Sequence, residues 1–375
     1  MAHPRIEVGM YVVAKAPLDG VETFVSAAQD QQLDSVFVWD HLQDFFPSAI
    51  WDEDFAWFAA LSESPHEWFE FQTLLGYLAG KFPGVRLGVG VTEPIRRHPA
   101  VLAQAALTLA HLTRQPPILG IGAGERLGSE PYGLAFSRTV GRLEEALQII
   151  RRCFDDRGPI DFAGEHFRLR RASVDLPAPD GRTPEVWVAA HGPRMLRLTG
   201  RYGDGWYPAL VASPEDYAAR LEVIRGAARE AGRDPEAITP ALHAPLVVAP
   251  TEAEARALLD AKPVRFFGLM LPAEIWSLFG LRHPLGERFR GFLDLLPETY
   301  DRATVEAAIA AVPQEMVEGI FWGTPDQVVA KVRAFGAAGL RHFVPLDVSG
   351  AASPAAAAYG MEAMAGIARA LQSGQ

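Results

Sequence analysis

Two spacings of apolar residues alternate along the chain. Short, mostly apolar runs recur at "RIEVGMYVV" (5–13), "SVFVW" (35–39), "VRLGVGV" (85–91), "PILGIGA" (117–123), "EVWVAA" (185–190), "GDGWYP" (203–208), "PALHAPLVVA" (240–249) and "HFVPLD" (342–347). Between them apolar residues fall three and four apart, the mark of an amphipathic helix. A first helix is predicted from Asp19, which has capping-box spacing to Glu22, with Val21, Phe24, Val25 and Ala28 on its apolar side. Further helices are expected near 67–80, 98–112 with Pro99 in the first turn, 138–154, 193–200 and 214–231. The segment 323–340 is punctuated at both ends by Thr324, Pro325, Gln327 and Gly339. An Ala-rich helix closes the chain.

Eight strands alternating with helices, most strands apolar on both faces, predict a (β/α)8 TIM barrel. A doubly wound parallel sheet with an appended domain is the alternative. No composition shift marks a linker, so residues 1–375 read as a single barrel domain with insertions near 41–66, 158–184 and 250–322. The middle insertion contains a hairpin pattern at 158–176, and the last is too long for a plain connection.

In such a barrel the chemistry sits where strands end. The second strand ends in Asp40 and His41, the third in Gly90, Val91, Thr92 and Glu93, the fourth in Gly124 and Glu125, the fifth in His191, Gly192 and Pro193. Each junction alone is an ordinary loop. Together they supply the residue types that general acid–base chemistry uses. "GIGAGERLG" (120–128) lacks the context of a dinucleotide fingerprint, but its small residues let a flat ring or a phosphate approach the backbone. Gly192 and the following helix start either offer N–H groups to an anion or form a simple turn. The stripe Phe45, Phe46, Trp51, Phe55, Trp57, Phe58 reads as a roof over the barrel, with a pocket lining as the other reading. The other histidines lack metal-ligand spacing, so no metal site is expected, and no G-x-S-x-G elbow is present.

Composition narrows the partners. A net charge of -11 argues against nucleic acid and anionic membrane. Cys153 is the only cysteine, which fits a reducing compartment and an inert buried thiol. The start of the chain lacks a signal-peptide pattern, and no apolar run reaches the ~20 residues of a membrane span. A cytoplasmic protein acting on a small molecule is expected.

The segments "VFVWDHL", "LGVGVTEPIRRHPAVLAQAALTLAHLT", "LGIGAGE", "VWVAAHGPRML", "GRYGDGWYP" and "GTPDQVVAKVRAFGAAGLRHFV" together resemble the luciferase-like oxidoreductase superfamily. Within it the likeness is to the branch using the deazaflavin coenzyme F420 and to phthiodiolone ketoreductases. The resemblance implies a (β/α)8 barrel with insertions. It places Asp40 and His41 beside the deazaflavin ring, and a non-prolyl cis peptide at Gly90–Val91 behind that ring. It places Thr92, Gly124 and the carboxylate Glu125 in the same site, and His191, Gly192 and Pro193 near the coenzyme phosphate. Two departures point to an apolar substrate. Residues 207–213 lack the lysine that holds a sugar phosphate in some relatives, and Phe45 stands where those relatives have Trp. The implied reaction is hydride transfer between reduced F420 and a ketone or secondary alcohol. His41 is the expected proton donor, oriented by Asp40, and Glu125 is the competing donor. Arg96 and Arg97 either meet the coenzyme's acidic tail or form a solvated helix start. An FMN-dependent monooxygenase and a non-catalytic flavin-binding protein are the alternatives, and a homodimer is the expected assembly.

Overall fold

The computed structural model describes residues 4–209 and 211–374. In chain order its strands are β1 (Glu7–Val12), β2 (Ser35–Val38), β3 (Leu87–Thr92), β4 (Ile118–Ile121), β5 (Ile160–Ala163), β6 (Arg168–Ala172), β7 (Glu185–Val188), β8 (Gly205–Trp206), β9 (Thr239–Val248), β10 (Phe321–Gly323) and β11 (His342–Asp347). Parallel pairing runs β11-β1-β2-β3-β4-β7-β8, and β9 pairs with both β8 and β11. That last pairing closes the ring, which removes the doubly wound alternative. Helices cover the outside. β2 and β4 are therefore buried along their whole length, as their unbroken apolar runs require.

Local chemistry sets the element ends. The helix Pro325–Ala337 starts on a complete capping box: the Thr324 hydroxyl accepts from the Gln327 N–H, and the Gln327 side chain accepts from the Thr324 N–H at 2.9 Å. The helix Pro99–Leu112 begins as expected, with His98 as its cap. The expected box at Asp19 and Glu22 is not formed. The helix Leu18–Asp30 starts one residue earlier, and Asp19 instead accepts from the adjacent Gly20 N–H. The sixth barrel strand, expected over 203–208, is reduced to two residues, because only Gly205 and Trp206 bridge β7 to β9. Strand β10 was not foreseen. It extends β9 beyond the ring, pairing Phe321 with Leu246 and Gly323 with Val248.

The hairpin expected at 158–176 is the antiparallel pair β5–β6. The last insertion is mostly helical, and its residues join the 45–58 aromatics in a second apolar cluster that continues into the barrel interior through Tyr11, Phe37 and Trp187. There Phe46 meets Phe55 at 5.0 Å and Phe266 at 5.1 Å between ring centroids. The aromatic stripe is therefore largely a roof. At the other end of the molecule the final helix, Pro354–Gln372, lies against β1, where the Ile6 N–H donates to Leu371 O at 3.1 Å. No helix among the described residues is long and apolar enough to cross a membrane.

The barrel interior is a continuous run of ring contacts. It begins at His342, the first residue of β11, which meets Trp187 at 5.1 Å. It continues through Phe37 to Tyr207 and Tyr11, and from Tyr11 to His243 and Trp39. It ends at His41 and Trp68, beyond the C-terminal end of β2. Filling the interior with large side chains makes the barrel a packed core with a floor, not a pore.

Candidate active site

The mouth at the C-terminal ends of the strands is built on an irregularity in β3. Val89 pairs with Leu119 and Thr92 with Ile121, so β3 carries one extra residue there. The bulge falls at Gly90–Val91, whose peptide bond is cis, as the resemblance implied. The Tyr11 hydroxyl donates to the Gly90 carbonyl. A side chain at position 90 would lie 2.9 Å from Tyr11 Cζ, so only glycine fits under this ring.

The bulge aims Thr92 at Asp40. The Thr92 hydroxyl donates to Asp40 Oδ2 at 2.6 Å, and the same oxygen takes Arg97 Nη1 at 2.7 Å and Arg96 Nη2 at 3.0 Å. Asp40 thus fastens the end of β2 to the end of β3. All three donors fall on Oδ2, leaving Oδ1 without a protein partner among the described residues. This corrects two expectations. Asp40 does not hydrogen-bond His41, and Arg96 and Arg97 are neither a solvated helix start nor a free pair for an acidic tail. Glu93 folds the following turn, accepting from the Ile95 and Arg96 N–H groups and from Arg96 Nε at 2.5 Å. Arg96 is only 10% exposed, and its Nη1 is buried with no partner among the described residues.

His41 is held by its own loop. Its Nδ1 lies 3.2 Å from the Gln43 carbonyl. A carbonyl only accepts, so Nδ1 carries the proton and Nε2 is a bare acceptor in the neutral ring. Burial pushes the His41 pKa down, against the opposing pull of Asp44, and keeps the ring neutral at physiological pH. Trp39, Phe45 and Trp68 surround it at ring-centroid distances of 5.4, 5.1 and 5.5 Å. The Gln43 amide then donates to Leu127 O at 3.0 Å, tying this loop to the one that carries Glu125.

Glu125 follows Gly124, which takes the left-handed conformation (φ 87°) that lets the chain turn into the mouth. The Glu125 carboxyl has no side-chain hydrogen bond or ion pair among the described residues. Desolvation raises its pKa to about 7, with Arg96 pulling the other way and Glu93 adding to the rise. The Gln43–Leu127 hydrogen bond holds the loops that carry His41 and Glu125 against one another on one rim.

Further round the mouth, Gly192 precedes the helix Pro193–Tyr202, whose first turn has no side-chain cap. A Cβ at Gly192 would meet open space. Burial and the nearby Arg220 push His191 down to about 4. Cys153 is buried in a helix of the barrel wall, its thiol raised to about 11 by burial, which makes it a poor nucleophile.

Sequence reading missed Lys15. Its ammonium pairs with Asp44 at 2.7 Å and sits 4.5 Å over the Trp68 ring. It also missed Glu298 of the last insertion, which accepts from the Ser48 N–H at 2.7 Å and meets His66 Nε2 at 2.9 Å. These contacts join segments far apart in sequence, and no local pattern announces them.

The comparisons agree with this architecture. Residues 5–342 match the family model for luciferase-like monooxygenases. The phthiodiolone/phenolphthiodiolone dimycocerosates ketoreductase of Mycobacterium tuberculosis (strain H37Rv) is 42% identical over 333 residues, 87% of this chain and 86% of the relative. The 5,10-methylenetetrahydromethanopterin reductase of Archaeoglobus fulgidus is 28% identical over 276 residues, 72% of this chain and 80% of that one. An F420-dependent secondary alcohol dehydrogenase, solved in complex with an F420–acetone adduct, superposes with TM-score 0.76 at 20% identity, covering 98% of this chain and 99% of its own. With a bulged third strand inside a closed barrel and a family match over nearly its whole length, the chain belongs to the luciferase-like monooxygenase family.

Proposed function

We propose that this protein is a coenzyme F420-dependent oxidoreductase that transfers hydride between the deazaflavin and a ketone or secondary alcohol of apolar character. The observation that carries this reading is Glu125, a half-buried carboxyl without a side-chain partner among the described residues, pushed up to about 7 by desolvation, on a loop tied to that of His41 by the Gln43–Leu127 hydrogen bond. The ketoreductase name of the mycobacterial relative and the F420 complex of the structural neighbour support the substrate class and the coenzyme.

The residues present fit a flat ring with polar edges. Arg96 Nη1 is a buried donor without a partner, Asp40 Oδ1 is an open acceptor, and the N–H groups at the start of the 193–202 helix suit a phosphate. Gly90, Val91 and Thr92 would back the ring, Gly124 would leave room beside it, and His191, Gly192 and Pro193 would lie by the phosphate. When bound, the deazaflavin would supply the hydride chemistry; the chain supplies orientation and protons.

Glu125 is the better proton donor. Near pH 7 a large fraction of it is the neutral acid, and its neighbours leave that proton unengaged. His41, neutral with Nε2 bare, offers a lone pair rather than a proton, so it would position the alcohol by accepting its O–H. This reverses the order expected from sequence, and the cause is the Gln43 carbonyl on Nδ1. Phe45, packed on His41, and the absence of Lys or Arg over 207–213 favour an apolar substrate.

Titration with F420 and with FMN, followed by a screen of ketones and secondary alcohols by coenzyme absorbance, tests the reading. F420 binding with ketone turnover is expected. Binding of FMN with oxygen consumption would overturn it in favour of a monooxygenase, and binding without turnover on any ketone would favour a non-catalytic flavin protein. A second copy of this chain is the expected partner. An apolar groove between the helices Phe71–Lys81 and Pro99–Leu112, about 230 Å³ and lined by Leu75, Val101, Leu109 and Leu112, supports that reading. Light scattering at twice the chain mass is the expected outcome.

A further inference from the structure

A buried ion pair stands beside His41, and the proton chemistry of the mouth does not use it. Lys15 follows β1, and its Nζ lies 2.7 Å from Asp44 Oδ2, with side chains only 14% and 7% exposed. The ammonium sits 4.5 Å over the Trp68 ring and 5.4 Å from the Trp51 centroid. The other Asp44 oxygen, Oδ1, accepts from the Phe46 N–H at 3.0 Å, and the Asp44 N–H donates to His66 Nδ1 at 2.9 Å. Segment 14–16 runs beside 67–69, where the Phe69 N–H donates to Ala14 O at 2.8 Å. Lys15 therefore touches both ends of the first insertion: Asp44 where the chain leaves the barrel, and Trp68 where it has returned. His41 lies in the same cluster, its ring 5.5 Å from Trp68 and 5.1 Å from Phe45, the neighbour of Asp44.

Stability alone is a poor reason for this pair. Among Trp51, Trp68 and Phe45, apolar residues at both positions would ordinarily hold the fold as well, because burying two charges costs about what their attraction returns. The pair has a nearer consequence. The charged groups acting on His41 are Asp44 and Asp40 from its own loop and Arg96 from the turn after β3. Asp40 is already met by Arg96 and Arg97. Among the described residues Asp44 is met by Lys15 alone, because His66 offers it only a lone pair and turns its own Nε2 proton to Glu298 at 2.9 Å. Burial pushes His41 down, and Asp44 is the strongest pull the other way. Without the ammonium, that carboxylate would act on the imidazole unopposed.

We propose that Lys15 is a positioning residue that acts on the reaction through Asp44: the ion pair holds the loop that carries His41 and cancels the carboxylate's field at the imidazole, so that Nε2 stays a bare acceptor for the alcohol O–H. The task given to Nε2 rests on the redox reading of the mouth above. The control of the ring's charge does not rest on it, and is read in the free protein. In a chain lacking Lys15 the ring takes a proton more readily, and a protonated His41 no longer accepts from an alcohol. A plain staple between the two loops would move the melting temperature and leave the protonation of His41 where it is.

The test compares Lys15→Met, Lys15→Arg, Asp44→Asn and the double variant Lys15→Met/Asp44→Asn in the full chain. The midpoint of the His41 titration is followed by NMR of its ring signals, assigned by their loss in His41→Gln. Secondary-alcohol oxidation is followed from about pH 6 to about pH 8 as a ratio to wild type, which cancels the titration of Glu125. The midpoint should rise in Lys15→Met and fall in Asp44→Asn, where the ammonium is left unbalanced. It should stay near wild type in Lys15→Arg, and in the double variant lie between those of the two single ones. The rate ratio of Lys15→Met should be about tenfold lower at the acid end and recover at the alkaline end. Should Lys15→Met fail to fold, Asp44→Asn against the double variant carries the test, with the higher midpoint in the double variant. A midpoint shared by all variants overturns the proposal and leaves the redox reading intact, and so does a rate ratio lowered equally at every pH. Wild-type protein that binds neither F420 nor FMN overturns the redox reading, while the midpoints still decide for or against control of His41 by Lys15.

Discussion

At the N-terminal end of the barrel His342 meets Glu7 Oε2 through Nδ1 and Ser35 Oγ through Nε2, each at 2.8 Å. At the C-terminal end His41 has one weak carbonyl contact, and Glu125 has no side-chain partner. The residue types are the same, yet the physics differs. At the bottom the hydrogen bond to His342 holds Glu7 down at about 2, and Arg86 pairs with Glu185 at 2.6 Å. At the top desolvation wins and Glu125 rises to about 7. Ser35, His342 and Glu7 even reproduce the connectivity of a serine-hydrolase triad. Ser35 and His342 are, however, both 0% exposed, so no substrate reaches them. They act as a brace across β2, β11 and β1. The brace at one end holds strands together, while at the other His41 Nε2 and the Glu125 carboxyl are left without side-chain partners among the described residues.

The largest expected effect is on Glu125. Replacement by Gln should lower ketone reduction by ~10²–10⁴-fold without loss of stability. Because its folded pKa is raised from 4.5 to about 7, its ionisation weakens the fold as pH climbs through that window. The Gln variant should therefore match or exceed wild type in melting temperature at pH 8. In the wild type, reduction should fall above about pH 7 while alcohol oxidation rises. A flat profile there would remove Glu125 from the proton step.

Asp40 shares features of both ends, being in the mouth yet fully engaged on Oδ2. Asp40→Ala leaves Arg96 and Arg97 buried beside an empty site and should cost about 3–5 kcal/mol in denaturant unfolding. A loss below 1 kcal/mol would mean the clamp is not formed in solution.

Glu7→Gln should cost about 1–3 kcal/mol, toward the lower figure because Glu7 is about a third exposed. Glu7 has a depressed folded pKa, so its stabilisation is present above about 4.5 and lost as pH falls toward 2. The variant should lose that part of the acid dependence and keep full activity per folded molecule. Reduced turnover at unchanged stability would contradict the division between the two ends.

The smallest effect is at His41, where Ala should slow turnover about tenfold, the scale of one positioning hydrogen bond. A loss as large as that at Glu125 would restore His41 as the donor.

Much of this architecture is written locally. The strand runs, the Thr324–Gln327 box and the polar residues at strand ends depend on neighbours within a few positions. The residues converging on the mouth could therefore be named from sequence, including Asp40, His41, Glu93 and Glu125. What they do to one another could not. Adjacent in sequence, Asp40 and His41 suggest a pair, but Asp40 is taken by side chains more than fifty residues away. Lys15 reaches Asp44 and Trp68 only after the barrel closes. From sequence, His243 reads only as a histidine without metal-ligand spacing. In the fold its ring is held by the Val344 carbonyl, 101 positions away, a contact no local pattern announces. Strand β10 was hidden because "FWG" borders a strongly punctuated helix, whose signal absorbed it.

The hydrogen bond from Ile6 to Leu371 brings the first strand and the last helix together near both ends of the described residues, on the side away from the mouth. A short linker between them, with a new break in the surface hairpin 160–172, should give a circular permutant whose reactive rim is untouched. Such a rearranged chain would carry its termini beside the outer wall of the barrel, where a fused reporter could follow folding without reaching the reactive rim.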